Sequence, residues 1–171
     1  MAGSDYDFLV CAESKVSDRR HLSELLIPGF GCSQQRLRNS TPGAHGMDLY
    51  VREGFRSFRQ SKLECSCHES YLFRICRRIN NFYVYAFCHN PGHDGSLYDC
   101  LLDSMARVQS VDDKAVFVCV GDANAHHSES LETVSPTDRH GRDALNFCNL
   151  SGCEQLVCSP THIAGNRLDL D

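Results

Sequence analysis

Three carboxylates stand at or near the ends of apolar stretches with strand character, and this placement is the first chemical signal in the chain. Glu13 comes straight after Phe8–Ala12, Asp122 follows Ala115–Val120 through Gly121, and Asp169 sits within Leu168-Asp169-Leu170. Ends of neighbouring strands in a layered sheet converge on one edge, where ligand sites collect. Gly121 lets the backbone turn sharply, and Asp122 and Asn124, two apart in an extended segment, can point the same way. Oxygen donors of this kind suit Mg²⁺, which takes one or two carboxylates and keeps several waters, with Mn²⁺ as the alternative. A hard cation there would polarise a phosphoryl oxygen and help create or orient a hydroxide. In that chemistry Asp122 would take a proton from water and Asn124 would hold a phosphate oxygen. Taken singly, each carboxylate reads as a solvated turn residue, because Asp and Asn are common turn formers. Gly121-Asp122-Ala123-Asn124 after a buried strand says more than any of them alone.

Other residue types could add to such a site. His126 and His127, just beyond Asn124, could be metal ligands or phosphate contacts; the plainer reading is a solvated pair before Ser128-Glu129-Ser130. Arg52, Arg56, Arg59, Lys62, Arg74, Arg77 and Arg78 could follow a nucleic-acid backbone. On alternating strands only some of them share a face, so ordinary surface charge is the competing reading. Eleven cysteines raise the question of a disulfide or zinc scaffold. The count is odd, no Cys-x-x-Cys pair occurs, and Cys11, Cys88 and Cys119 lie inside apolar runs. Such cysteines behave as small buried hydrophobes in a reducing compartment. Cys65-Ser-Cys67-His68 and the steps Cys148, Cys153, Cys158 come nearest to a metal site, and lack the paired spacing of zinc fingers.

The elements that must position these residues can be read from periodicity. Phe8–Ala12 is a short strand; Ser17-Asp18 with Leu22, Leu25 and Leu26 and a Pro28-Gly29 stop predicts a helix. Met47–Arg52 is a strand, and Tyr71–Arg77 with Phe82–Phe87 around Asn80-Asn81 predicts an antiparallel hairpin. Asp94 or Ser96 opens a helix with Leu97, Leu101, Met105 and Val108 on one face, and Lys114–Val120 is a buried strand ending at Gly121. Asp138–Leu150 is a weaker helix with Ala144, Leu145 and Cys148 inward, stopped by Gly152. Glu154–Val157 reads as a short strand, and Arg167–Leu170 begins another. Strands outnumber helices and a tight hairpin is present, so the expected architecture is α/β with mixed sheets in layers.

The 171 residues suffice for one domain with one substantial core. Hydrophobic content of 42% and charged content of 23% exclude a disordered chain. The apolar run Ala115–Val120 spans six residues, against the ~20 of a membrane helix. The opening MAGSDYDF has no basic, then apolar, secretory pattern, so an intracellular protein, nuclear or cytoplasmic and not secreted, is expected. The net charge of −5 hides an asymmetry: residues 15–80 carry twelve Lys and Arg against six Asp and Glu, whereas residues 81–171 carry five against thirteen. A basic half beside an acidic half could be a phosphate-facing groove next to a carboxylate site, although charge alone argues only for solvated surface.

The ordered set Ala12-Glu13-Ser14-Lys15, Cys88-His89-Asn90-Pro91, Gly121-Asp122-Ala123-Asn124 and Arg167-Leu168-Asp169-Leu170 resembles the endonuclease/exonuclease/phosphatase superfamily. It resembles more closely the endonuclease domains of jockey-type non-LTR retrotransposons, in which a stretch similar to Asn124-Ala125-His126-His127 extends the Gly-Asp-x-Asn motif. The similarity runs from about Tyr6 to Asp169. It implies a four-layer α/β/β/α sandwich of the DNase I type, with mostly antiparallel sheets, and Mg²⁺-dependent phosphodiester cleavage. By motif position Glu13 would be the metal-ligand glutamate. Asp122 would orient or deprotonate the nucleophilic water, Asn124 would contact the scissile phosphate, and Asp169 would hydrogen-bond the catalytic histidine. The implied partners are a DNA substrate and a parent polyprotein with reverse transcriptase.

Against the family pattern, the single domain expected over residues 1–171 lacks the first strand and the closing Ser-Asp-His segment, with its aspartate and catalytic histidine. The hairpin also carries Cys88 where a tyrosine is expected, and Asp48 falls in a strand where a carboxylate without a partner is costly. The expected activity is therefore impaired. Two other readings stand beside it: a catalytically dead remnant that binds nucleic acid or a protein partner, and a Cys/His metal-binding module.

Overall fold

Two sheets and two helices carry the described part of the chain, which in the computed structural model comprises residues 6–12, 26–37, 47–64, 69–76, 81–89, 96–125, 137–157 and 169–170. In order the elements are β1 (Phe8–Cys11), β2 (Phe30–Leu37), β3 (Met47–Arg52), β4 (Arg56–Arg59), β5 (Glu69–Cys76), β6 (Asn81–Cys88), α1 (Leu97–Gln109), β7 (Val116–Asp122), α2 (Arg139–Ser151) and β8 (Asp169–Leu170). One sheet has the order β1-β3-β2, all antiparallel; the other has the order β4-β5-β6-β7-β8. In the larger sheet only β6 and β7 run parallel. Parallel neighbours need a crossover, and α1 provides it.

Alternation along the central strands separates two apolar layers. On β5 and β6, Leu72, Tyr83, Tyr85 and Phe87 face α1 and α2, meeting Leu97, Leu101, Met105, Val108 and Phe147. The alternate residues Tyr71, Phe73, Ile75, Val84 and Ala86 face the smaller sheet and meet Met47, Leu49 and Val51. Each large side chain so buried contributes roughly 1.5–3 kcal/mol. The result is helix on sheet on sheet. The helix expected after Ser17-Asp18 as the fourth layer lies outside the described residues, apart from Leu26–Gly29, which are not helical. β3 is buried on both faces, and Asp48, at 3% exposure, lies in its interior.

The helix ends follow local chemistry. Ser96 caps α1 by accepting from the Asp99 N–H at 3.2 Å, and the Ser104 hydroxyl bonds the Leu63 carbonyl, pinning α1 to the turn before β5. Asp138 caps α2 by accepting from the Gly141 N–H at 2.6 Å, and Gly152 closes it with φ 71°. At the far end of the larger sheet, the Asp112 carboxylate accepts from Asn81 (2.9 Å) and from the Tyr83 hydroxyl (3.2 Å), tying the turn before β7 to the start of β6. Those bonds hold its carboxyl below the usual range.

Several sequence expectations need correction. β7 does not end at Gly121 but runs through it to Asp122. Residues 154–157 form no strand; they are irregular, and Glu154, Gln155 and Leu156 line a cavity beside α2. In α2 it is Phe147, with Ala144, that enters the core, whereas Leu145 is only half-buried. β2 and β4 were not legible. β2 is polar and breaks register with β3 twice, and β4 reads Arg-Ser-Phe-Arg, an edge strand guarded by charge. Of the three cysteines expected as buried hydrophobes all are free, with Cys88 buried, Cys119 half-buried and Cys11 exposed, whereas Cys100 in α1 is disulfide-bonded.

Candidate active site at the joined ends of β6 and β7

The parallel pairing of β6 with β7 places Cys88 beside Asp122, and the His89 N–H continues the ladder to the Asp122 carbonyl at 2.8 Å. On the other side of β7, Asp122 pairs with Asp169 of β8. Two of the three carboxylates singled out in the sequence are therefore register neighbours at one sheet end. Gly121 makes this approach feasible. A Cβ at that position would stand 1.8 Å from the Phe87 carbonyl oxygen, well inside contact distance, so any side chain would push β7 away from β6.

Asp122 and Asn124 do meet, though not as successive outward residues of an extended segment. Asn124 takes a left-handed conformation, φ 44°, which asparagine tolerates better than most residues. That turn brings the Asn124 N–H to Asp122 Oδ1 at 3.0 Å and its Nδ2 to Asp122 Oδ2 at 3.1 Å. The same Nδ2 donates to the His89 carbonyl at 2.9 Å. Both amide hydrogens are thus committed and the carboxylate orientation is fixed. For Asn124 to donate to a phosphate, one of these bonds must be exchanged, while its Oδ1 remains an acceptor.

Beneath this pair lies a group that sequence reasoning missed. His89, 2% exposed, has Nδ1 3.0 Å from the Ala123 carbonyl oxygen. A carbonyl can only accept, so Nδ1 carries the proton and donates. The ring also packs edge-on against His140 in the first turn of α2, at 4.5 Å between centroids, and against Tyr98 of α1 at 6.5 Å. His89 thus ties the loop after Asp122 to both helices. The signal was present in Cys88-His89-Asn90-Pro91, but nothing in the sequence tells a buried strut from a solvated histidine.

The remaining candidates separate. Glu13, His126 and His127 lie outside the described residues. Asp169 is placed by its backbone pairing alone. Of the basic cluster, Arg59 makes a two-pronged ion pair with Glu64 (2.9 Å) and stacks on Tyr71 at 4.9 Å, Arg74 lies over Phe58 at 5.5 Å, and Arg52 bonds the Tyr6 carbonyl. These three have structural employment on two different sheets. Arg77 and Arg78 lie outside the described residues.

No family model and no curated protein matches the chain. Among solved structures it is similar to the endonuclease domain of TRAS1, a telomere-specific non-LTR retrotransposon, with TM-score 0.60 and 16% sequence identity. The chain shares the fold of that domain. The match covers 84% of this chain and 64% of that domain. Within this fold, the two-sheet stack and the helix pair position Asp122 and Asn124 at the end of β7. No helix among the described residues is long and apolar enough to cross a membrane.

Proposed function

We propose that the chain is a phosphodiesterase domain that nicks DNA with the help of Mg²⁺, or Mn²⁺ in its place. The observation that carries this reading is the Asp122–Asn124 pair, locked by two hydrogen bonds at the end of β7 in an endonuclease fold. In this reading Asp122 orients the attacking water and takes its proton, and the fixed geometry spares the carboxylate any reorganisation as it acts. Asn124 contacts the scissile phosphate, His89 holds the loop that carries both, and Asp169, the register partner of Asp122, would hydrogen-bond a catalytic histidine as the resemblance implies.

The residues present fit Mg²⁺. Asp122 offers hard oxygen atoms that accept hydrogen bonds from Asn124, and Glu13 would supply the second carboxylate. Among the described residues no group of three His, Cys, Asp or Glu is placed to form a metal cage. Mg²⁺ does not require one, since it is commonly held by one or two carboxylates and water. When bound, the ion would polarise a phosphoryl oxygen. The same reading assigns the chain DNA as substrate, a parent polyprotein with a reverse transcriptase as its context, and an intracellular setting.

The test is relaxation of supercoiled plasmid by the purified chain. Nicking that appears with Mg²⁺ and stops with EDTA supports the reading. Salt-sensitive DNA binding with no nicking in either condition would replace it with a binding role.

A further inference from the structure

The cavity beside α2 is not part of the candidate active site, since neither Asp122 nor Asn124 lines it. It measures about 100 Å³ and has apolar walls from all three elements around it: Leu101 of α1, Phe117 of β7 and Phe147 of α2. Tyr98, in the first turn of α1, is a further wall and is 3% exposed. Its ring is held by tilted contacts with Phe147, at 5.7 Å between centroids, and with His89 at 6.5 Å. Its hydroxyl oxygen is buried and has no hydrogen-bond partner among the described residues. An unpaired buried hydroxyl is costly, so this phenol asks for an occupant that can pair it. Burial, and after it the Cys148 thiol on the same cavity wall, raises the phenol, which is therefore a donor at neutral pH.

We propose that this cavity binds a small neutral carbonyl compound, whose oxygen accepts from the Tyr98 hydroxyl while its hydrocarbon body lies among Leu101, Phe117 and Phe147. Apolar walls with a single well-placed polar group are the usual make-up of a small-molecule site. Three features set the class of ligand. The size is bounded by volume: a dry apolar cavity of about 150 Å³ takes benzene, so one of about 100 Å³ takes a compact ring or branched chain that is smaller. The charge is bounded by Glu154, an exposed carboxylate on the cavity lining, which repels an anion. The functional group follows from the walls, because an alcohol would bring a hydrogen that apolar side chains leave unpaired, whereas a carbonyl brings only an acceptor. The site is independent of DNA nicking and holds whether or not the chain cleaves.

The experiment titrates the full chain, with isotope-labelled leucine methyl groups, first with cyclopentanone and separately with cyclopentane, following the Leu101 methyl signals by NMR. A saturable shift of those signals with cyclopentanone is expected. Tyr98→Phe keeps the ring and removes only the hydroxyl, so the ratio of ketone to hydrocarbon affinity should fall about 2–10-fold in that variant, the worth of one neutral hydrogen bond. No saturable shift at Leu101, or an affinity ratio unchanged in Tyr98→Phe, would overturn the proposal. A second measurement needs no variant: the infrared carbonyl band of cyclopentanone bound to the unmutated chain should move to lower frequency, as a hydrogen-bonded carbonyl does. A bound ketone with the band of a carbonyl in hydrocarbon would contradict the assignment to Tyr98.

Discussion

At the residue scale, the site is shaped by a few polar bonds made by Asn124 and His89. Asn124 supplies three of them, two to Asp122 and one to the His89 carbonyl, from a left-handed backbone. Asn124→Ala removes both Nδ2 bonds and keeps a Cβ in a strained conformation, so a loss of about 1–3 kcal/mol is expected in urea unfolding. Asn124→Gly relieves the strain and should lose less; equal losses would show that the amide bonds carry the whole effect. His89→Ala leaves the Ala123 carbonyl unpaired and empties a buried ring site, for an expected cost of about 3–5 kcal/mol. The sequence made Asp122 and Asn124 legible because a Gly-Asp-x-Asn after an apolar strand is unusual. It hid His89 and His140, because a buried histidine is identified by its contacts and not by its spacing.

At the element scale, the parallel β6–β7 junction and the two capped helices set the geometry. Gly121→Ala must separate β7 from the Phe87 carbonyl, and is expected to destabilise by about 3 kcal/mol or more and to reduce nicking with it. A wild-type unfolding midpoint in this variant would show that the close approach is not required. Asp138→Ala should cost about 1 kcal/mol through loss of the α2 cap, measured by the same denaturation. β1, β3 and β7 were readable as short apolar runs, β5 and β6 as a hairpin about Asn80-Asn81, and both helices from apolar residues at helical spacing between cap residues. β2 and β4 were not: one carries bulges and polar residues, the other is a short, charged edge whose role emerges only when Arg56–Arg59 pairs with β5. The strand expected at 154–157 rested on two apolar residues after two polar ones, and Glu154, Gln155 and Leu156 line the cavity beside α2 instead.

At the scale of the whole molecule, ionisation of buried phenols limits stability at high pH. Burial pushes Tyr71 up to about 12, and burial raises Tyr98, whose hydroxyl has no partner among the described residues. A raised folded value means that this stability is complete below the ordinary phenol range near 10 and is lost as pH climbs towards the folded value. The urea midpoint should therefore fall between about pH 10 and pH 12, and Tyr71→Phe should flatten that decline; an unchanged slope would remove Tyr71 as a cause. A layered α/β architecture with mixed sheets was legible from the chain itself, the order of its layers came only from the resemblance, and the similarity to the solved retrotransposon endonuclease domain agrees with the fold. The central claim is that Asp122 acts on the water that attacks a phosphodiester. It is tested most directly by plasmid nicking in Mg²⁺ with wild type and Asp122→Asn compared at equal, circular-dichroism-verified folding. The account predicts a loss of about 10²–10⁴-fold in the variant; equal nicking by the two proteins would contradict it.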